Sequence, residues 1–327
     1  MSGTAQLPPQ PGASDRGASR GDDLPAHGPA TYYEQPLLKK PHWEWEVVTY
    51  LFLGGIMGGS GILVMIADDR PEREADLARS ARYVSFVLSG VCPLVLITHL
   101  GRPERFLNML RIAKFKSVMS MGVWGLVCFS APSALAVAGQ LARDGMLPKW
   151  IAALAPRGVT NVLQGLIGGF MAGYTGVLLS STAIPVWGIG KRYIPAFSVA
   201  SGFAGACAVN AAILALTGTD RTRHRLERLE LIASTVEFIL LESFRRHAGS
   251  VGEPMFGGAR GRKLRTYTQL AGIIAPAALG LLPFGGKAKT LLASALTLVG
   301  GYVLRETLIE GGKNSADDPR AASRQPE

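Results

Sequence analysis

The sequence predicts an all-α fold, a polytopic membrane helical bundle with about eight transmembrane helices. Apolar stretches of spanning length recur between Val47 and Leu308, separated by short polar loops. Mean hydropathy is +0.22, and 40 of the 327 residues are glycine. Small residues suit helices that pack closely in lipid. Strands are excluded at depth, because an open strand edge in hydrocarbon leaves backbone groups without partners.

A polar tail, residues 1–31, comes first. It is rich in Pro, Gly, Ala and Ser, has no apolar core of the signal-peptide kind, and reads as disordered. The membrane domain is expected over residues 32–314, followed by a second polar tail at 315–327. Its spans are Val47–Ala67, Tyr83–Leu100, Met119–Gly139, Asn161–Ile184, Ile194–Thr217, Leu229–Phe244, Thr268–Phe284 and Ala288–Leu308. The sixth is short and carries Glu230, Glu237 and Glu242, so a surface amphipathic helix stays open beside a true span. Arg228 and Arg245–Arg246 at its ends favour the span, as interfacial anchors.

An even number of spans places both termini on one face, here side A. The loops after spans two, four and six also lie there. Lys and Arg are slightly more numerous on side A, which favours a cytoplasmic side A in a cell (inner) membrane. The formal charge of +10 resides mainly in these loops. Lipid head groups and topology account for it without nucleic acid. Cys92, Cys128 and Cys207 fall in separate apolar runs with no CxxC. No iron–sulfur cluster is therefore expected in this chain, and no disulfide framework. Bis-histidine haem is not expected either: His99 is the only histidine at a span edge. The glycine-rich run from Gly257 lacks Walker spacing and a preceding strand, so it is not a phosphate loop.

Aromatics, arginines and sharp turns concentrate on side A. Trp43-Glu44-Trp45-Glu46 precedes the first span, and Leu100-Gly101-Arg102-Pro103 follows the second. Ser117-Val118-Met119-Ser120-Met121-Gly122-Val123-Trp124 opens the third. Tyr174-Thr175-Gly176 lies in the fourth, which exits through Pro185-Val186-Trp187. The chain closes on Gly312-Lys313-Asn314-Ser315-Ala316-Asp317-Asp318-Pro319. In this order the segments resemble the NrfD/polysulfide-reductase membrane-subunit family, over about residues 32–319. The resemblance implies an eight-helix anchor that exchanges electrons between membrane quinone (menaquinone or ubiquinone) and an iron–sulfur, ferredoxin-like partner. That partner connects to a large catalytic subunit, often molybdopterin-dependent. The resemblance further implies a quinone pocket that uses a polar residue early in the first span and a tyrosine in the fourth. Tyr50 and Tyr174 occupy those places, with Tyr50 and Val47 where the family's best-known member has a histidine and an asparagine.

The candidate quinone-binding residues are thus Tyr50, Tyr174, His99 and Trp124. A phenol can donate to a quinone carbonyl, and an interfacial histidine can exchange protons. Aromatic anchoring is the plainer reading of the tyrosines, and a structural role that of the histidine. Glu46, Glu230 and Glu237 are proton-path candidates, since acids within a span mark such paths. Arg102, Arg105 and Arg305 are candidates for partner docking, with snorkelling anchors as the alternative. The glycines of the first and fourth spans are expected to be packing surfaces, and Gly101 and Gly311–Gly312 turn or helix-end residues. Two other function classes stay open: a proton or small-solute transporter, and a purely structural anchor.

Overall fold

The structure is a computed structural model that describes residues 38, 40–67, 74–99, 104–114, 116–217, 222–282 and 286–317, without the side chains of 105–107. The N-terminal tail and Gly101–Pro103 lie outside the described residues. All regular structure among the described residues is helical.

The first half contains α1 (Trp45–Ala67), α2 (Ala75–His99), a short amphipathic α3 (Glu104–Arg111), α4 (Val118–Arg143), α5 (Lys149–Leu154) and α6 (Arg157–Ser180). Ser117 caps α4 by accepting from the Ser120 amide, and Gly145 at φ +81° turns the chain after it. Pro156 precedes α6, and Pro185 opens α7 (Pro185–Ile189). Then come α8 (Ile194–Thr217) and α9 (Arg223–Ala248), with Gly249 at φ +49° ending the latter. After α10 (Glu253–Phe256), one continuous rod runs through α11 (Gly258–Lys263), a π-helical stretch (Leu264–Ile274) and α12 (Ala275–Leu281). The last helix is α13 (Gly286–Ser315).

Six described helices are long and apolar enough to cross a membrane: α1, α2, α4, α6, α8 and α13. The helix α9 and the 258–281 rod pack lengthwise on them, α9 against α8 and the rod against α13. At 26 residues α9 is no short surface helix; it extends about 39 Å. Its buried residues Leu226, Glu230, Ala233, Glu237, Leu241 and Phe244 form one stripe at helical spacing.

The centre of the bundle is α1. Inside the bundle 72% of its apolar window is buried, against 28% for α2, which faces outward. Glycine makes that central place accessible. A Cβ on Gly58 would lie 2.3 Å from the Gly168 carbonyl of α6, and one on Gly59 would lie 2.7 Å from the Gly202 carbonyl of α8. The expectation that glycines of the first and fourth spans are packing surfaces thus holds at Gly58, Gly61 and Gly168.

The first and last described segments meet at one end of the bundle. Lys40 pairs with Asp317 at 2.5 Å, Trp43 stacks on Trp187 at 5.2 Å, and the Trp187 indole donates to the Leu308 carbonyl at 2.9 Å. Two boundaries differ from the sequence expectation in ways that matter here. The second span begins eight residues early, at Ala75, because its polar first turns are buried against neighbours. The last span does not stop at Leu308 but continues to Ser315, which is wholly buried and accepts from the Val186 amide. Gly311 and Gly312 are accordingly not helix-end residues; they lie inside α13 because Met255 and Trp187 pack where their side chains would be.

Gly58→Ala is expected to lower the thermal midpoint of the detergent-solubilised chain. Overpacking against backbone costs about 1–3 kcal/mol. Gly90→Ala, with nothing within 4 Å of its added Cβ, is expected to be neutral or to stabilise by up to about 1 kcal/mol. Equal midpoints for the two variants would contradict the packing described.

Candidate functional site

At the end where Lys40 meets Asp317, Gly122 and Gly125 of α4 act as seats for rings of α6. A Cβ on Gly122 would lie 2.0 Å from the Tyr174 ring, and one on Gly125 would lie 2.7 Å from the Phe170 ring. Tyr174 is 4% exposed, and its hydroxyl donates to the Val118 carbonyl at 2.9 Å. Phe170 lies against it with ring centroids 6.0 Å apart.

Beside these rings runs an apolar groove of about 410 Å³ between α4 and α6. Its walls include Met121, Trp124, Cys128, Leu166, Ile167 and Phe170, with Lys114 and Ser120 at one end. The Trp124 indole nitrogen is buried and has no hydrogen-bond partner among the described residues. A buried donor without a partner is costly, and a ligand acceptor relieves that cost.

Tyr50 is 5% exposed and shares one buried cluster with Tyr174, Cys92, Leu126 and Met171. One turn earlier on α1, Glu46 points at His99 of α2, with 4.0 Å between Oε2 and Nδ1. Both side chains are largely covered, and the Glu46 Oε2 has no hydrogen-bond partner among the described residues. Two residues chosen separately from the sequence thus form one acid–imidazole pair beside Tyr50.

Glu230 and Glu237 belong elsewhere, in the layer formed by α8, α9 and α13. Glu230 accepts from Thr297 Oγ1 at 2.6 Å. Glu237 hydrogen-bonds Ser201 and faces the Arg305 guanidinium. Arg305 is 2% exposed and donates to Ser201 Oγ at 2.7 Å and to the Ser198 carbonyl at 3.2 Å. That interior place corrects its assignment to a docking surface: α13 continues ten residues beyond it, so it does not lie at a helix end. Arg102 lies outside the described residues, as does the side chain of Arg105 in α3.

The family description "Polysulphide reductase, NrfD" matches residues 36–259, more than half of the chain. The chain belongs to the NrfD family. The match ends before the 258–281 rod has properly begun, so the rod and α13 lie almost wholly beyond it. No curated protein matches the chain. NrfD proteins serve as membrane subunits of quinone-linked oxidoreductase complexes. Among the described residues no group of His, Cys, Asp and Glu could hold a metal ion. The groove is apolar, and its wall residue Trp124 carries a buried N–H without a partner among the described residues.

Sequence reasoning found Trp124 and Tyr174 but not Phe170, Met121 or Cys128, which look like ordinary lipid-facing residues along a span. It found the buried acids but not Thr297 and Ser201, whose hydroxyls bond them. Hydroxyls spaced to meet an intramembrane charge were the available signal. A stability cycle tests the buried pair. Arg305→Met alone is expected to cost about 3–5 kcal/mol by leaving Glu237 opposed to nothing. The double variant Arg305→Met with Glu237→Gln is expected to recover much of that loss. Additive losses in thermal unfolding would show that the two do not interact.

Proposed function

We propose that this chain is the quinone-binding, electron-transferring subunit of its complex. Quinol or quinone occupies the groove between α4 and α6. There the Trp124 N–H donates to one carbonyl or hydroxyl oxygen, and the rings of Phe170 and Tyr174 border the headgroup. Tyr174 holds the α4 entrance against α6 through Val118 and so shapes the pocket. The pair Glu46–His99, beside Tyr50, exchanges protons with water on side A. Electrons pass to or from an iron–sulfur, ferredoxin-like subunit docked on side A, which serves a larger catalytic subunit, molybdopterin-dependent in many such complexes. The observation that carries the reading is the unsatisfied indole donor at the wall of an otherwise apolar groove. Family membership supports it independently. Arg102 and Arg105, on the same side by the span count, remain the proposed docking residues.

The test is turnover of the assembled complex with a soluble quinol analogue, beside dye-linked activity that bypasses the membrane subunit. Trp124→Phe removes one hydrogen bond of about 0.5–1.5 kcal/mol net, so kcat/KM should fall about two- to tenfold. Dye-linked activity should be unchanged. Tyr174→Phe should lower quinol turnover and also the thermal midpoint, since the Val118 carbonyl loses its donor. Tyr83→Phe, in the outward-facing α2, should be silent in both assays. Were Trp124→Phe as silent as Tyr83→Phe, the groove would not be the quinone site, and the structural-anchor reading would replace it.

A further inference from the structure

Glu227, Glu230 and Glu237 form a column on one face of α9, and its outer end opens into a cleft of about 320 Å³ between α9, α12 and α13. The helix α13 ends two residues before Asp317, so its first turns, with Lys289 and Thr290, lie at the opposite end of the bundle, termed side B. The cleft exists because α9 packs on α8 and the 258–281 rod packs on α13, which leaves the facing sides of α9 and α12 largely apart. One wall is apolar, formed by Leu231 of α9 and by Ile273, Pro276, Ala277 and Leu281 of the rod. Leu231 and Leu281 are exposed at its rim, where a membrane bundle meets lipid. The other wall carries both signs of charge. Arg228 is exposed and has no ion-pair partner among the described residues, and Lys289 reaches the Leu282 carbonyl at 3.0 Å. Beside them Glu227 accepts from Thr290 Oγ1 at 3.1 Å and has Arg223 and His224 as basic neighbours, at 3.6 and 3.3 Å. One turn further in, Glu230 accepts from Thr297 through Oε1 at 2.6 Å and has no basic partner among the described residues. The Ser294 hydroxyl lines the same cleft, belongs to a residue 2% exposed, and has no hydrogen-bond partner among the described residues.

A buried hydroxyl without a partner and an intramembrane carboxylate without a counter-charge both cost free energy until something binds them. No set of His, Cys, Asp and Glu among the described residues could hold a metal ion, so an organic cation fits better. A primary ammonium brings three N–H donors. Glu230, Glu227 and Ser294 offer it three acceptors on one wall. At the rim Arg228 and Lys289 offer two cations to a phosphate. The opposite wall offers a bed to an acyl chain. We propose that the cleft binds an ethanolamine phospholipid. Its ammonium faces Glu230, Glu227 and Ser294, its phosphate meets Arg228 and Lys289, and a chain lies along Leu231, Ile273 and Ala277. A glycerol headgroup would leave Glu230 without a counter-charge. A choline headgroup carries a cation but no N–H, and a serine headgroup adds a carboxylate that the two acids repel. The bound lipid fills the gap between α9 and α12 and ties the α8–α9 layer to the rod and α13. The site lies apart from the groove of α4 and α6 and does not depend on the quinone reading.

The full chain in dodecyl maltoside allows a direct test. The probe is a phosphatidylethanolamine with a diazirine in one acyl chain, crosslinked by light and read by peptide mass. Adducts should concentrate on the peptide of α9 around Leu231 and on the rod over Ile273–Leu281. Unlabelled phosphatidylethanolamine should compete about tenfold better than phosphatidylcholine or phosphatidylglycerol, the margin of one charge-assisted hydrogen bond. O-Phosphoethanolamine, the same headgroup without chains, should compete poorly at equal concentration. Glu230→Gln should level phosphatidylethanolamine with phosphatidylcholine, and Arg228→Gln should weaken labelling whatever the amine. Better competition by phosphatidylglycerol would make the cleft a plain basic anion site. Equal competition by phosphatidylcholine would make it an unselective lipid surface, and equal competition by O-phosphoethanolamine a site for the free headgroup. Adducts confined to other helices would place the lipid elsewhere. Each of these four results overturns the proposal, and the unsubstituted chain alone decides among them if the variants do not insert.

Discussion

The near contact of three backbones at the middle of α1 sets the rest of the structure. Gly58 meets Gly168 of α6, and Gly59 meets Gly202 of α8, at separations that no Cβ would tolerate. In lipid the hydrophobic effect does not draw helices together, so close van der Waals fit must. With α1 fixed between α6 and α8, the two faces of that axis become separate neighbourhoods. One holds the aromatic groove of α4 and α6. The other holds the acidic column of α9 and α13.

The two neighbourhoods divide the chemistry. The groove is almost purely apolar, with one indole donor in excess, and suits a lipid-soluble ring. The column is polar along its length, and its buried carboxylates are satisfied by hydroxyls or by arginine. Tyr50 and Arg305 both lie near α1, so a small rotation or slide of that helix would be felt on both sides. Such mechanical linkage needs no shared residue, only the tight packing that glycine permits.

The sequence made the spans legible where apolar runs were long and unmixed, as in α1 and α8. It was poorer where a helix is apolar on one side only. The inward stripe of α9 includes Glu230 and Glu237, so the hydropathy of that segment understates how deeply it packs. The short helices α3, α5 and α7 fall far below spanning length and were not legible beside the apolar runs. The end of α13 was misjudged because Gly311 and Gly312 resemble a helix stop, while their true role is to admit Met255 and Trp187. Arg305 was then placed at a surface it does not reach. For the candidate site, residue types sufficed to find Tyr174, Trp124, Glu46 and His99. Their partners come from helices far apart in the chain, and pairing such as Tyr174 with Val118 cannot be read from spacing.

The clasp at side A has a consequence for biogenesis. Trp187, between the fourth and fifth spans, is held by Trp43 from before the first helix and by Leu308 from the last. Lys40 finds Asp317 only once α13 has been inserted. The side-A surface is therefore completed only after α13 has been made. A subunit that binds there meets a finished chain or none, so truncated and half-inserted products are left without an assembly platform.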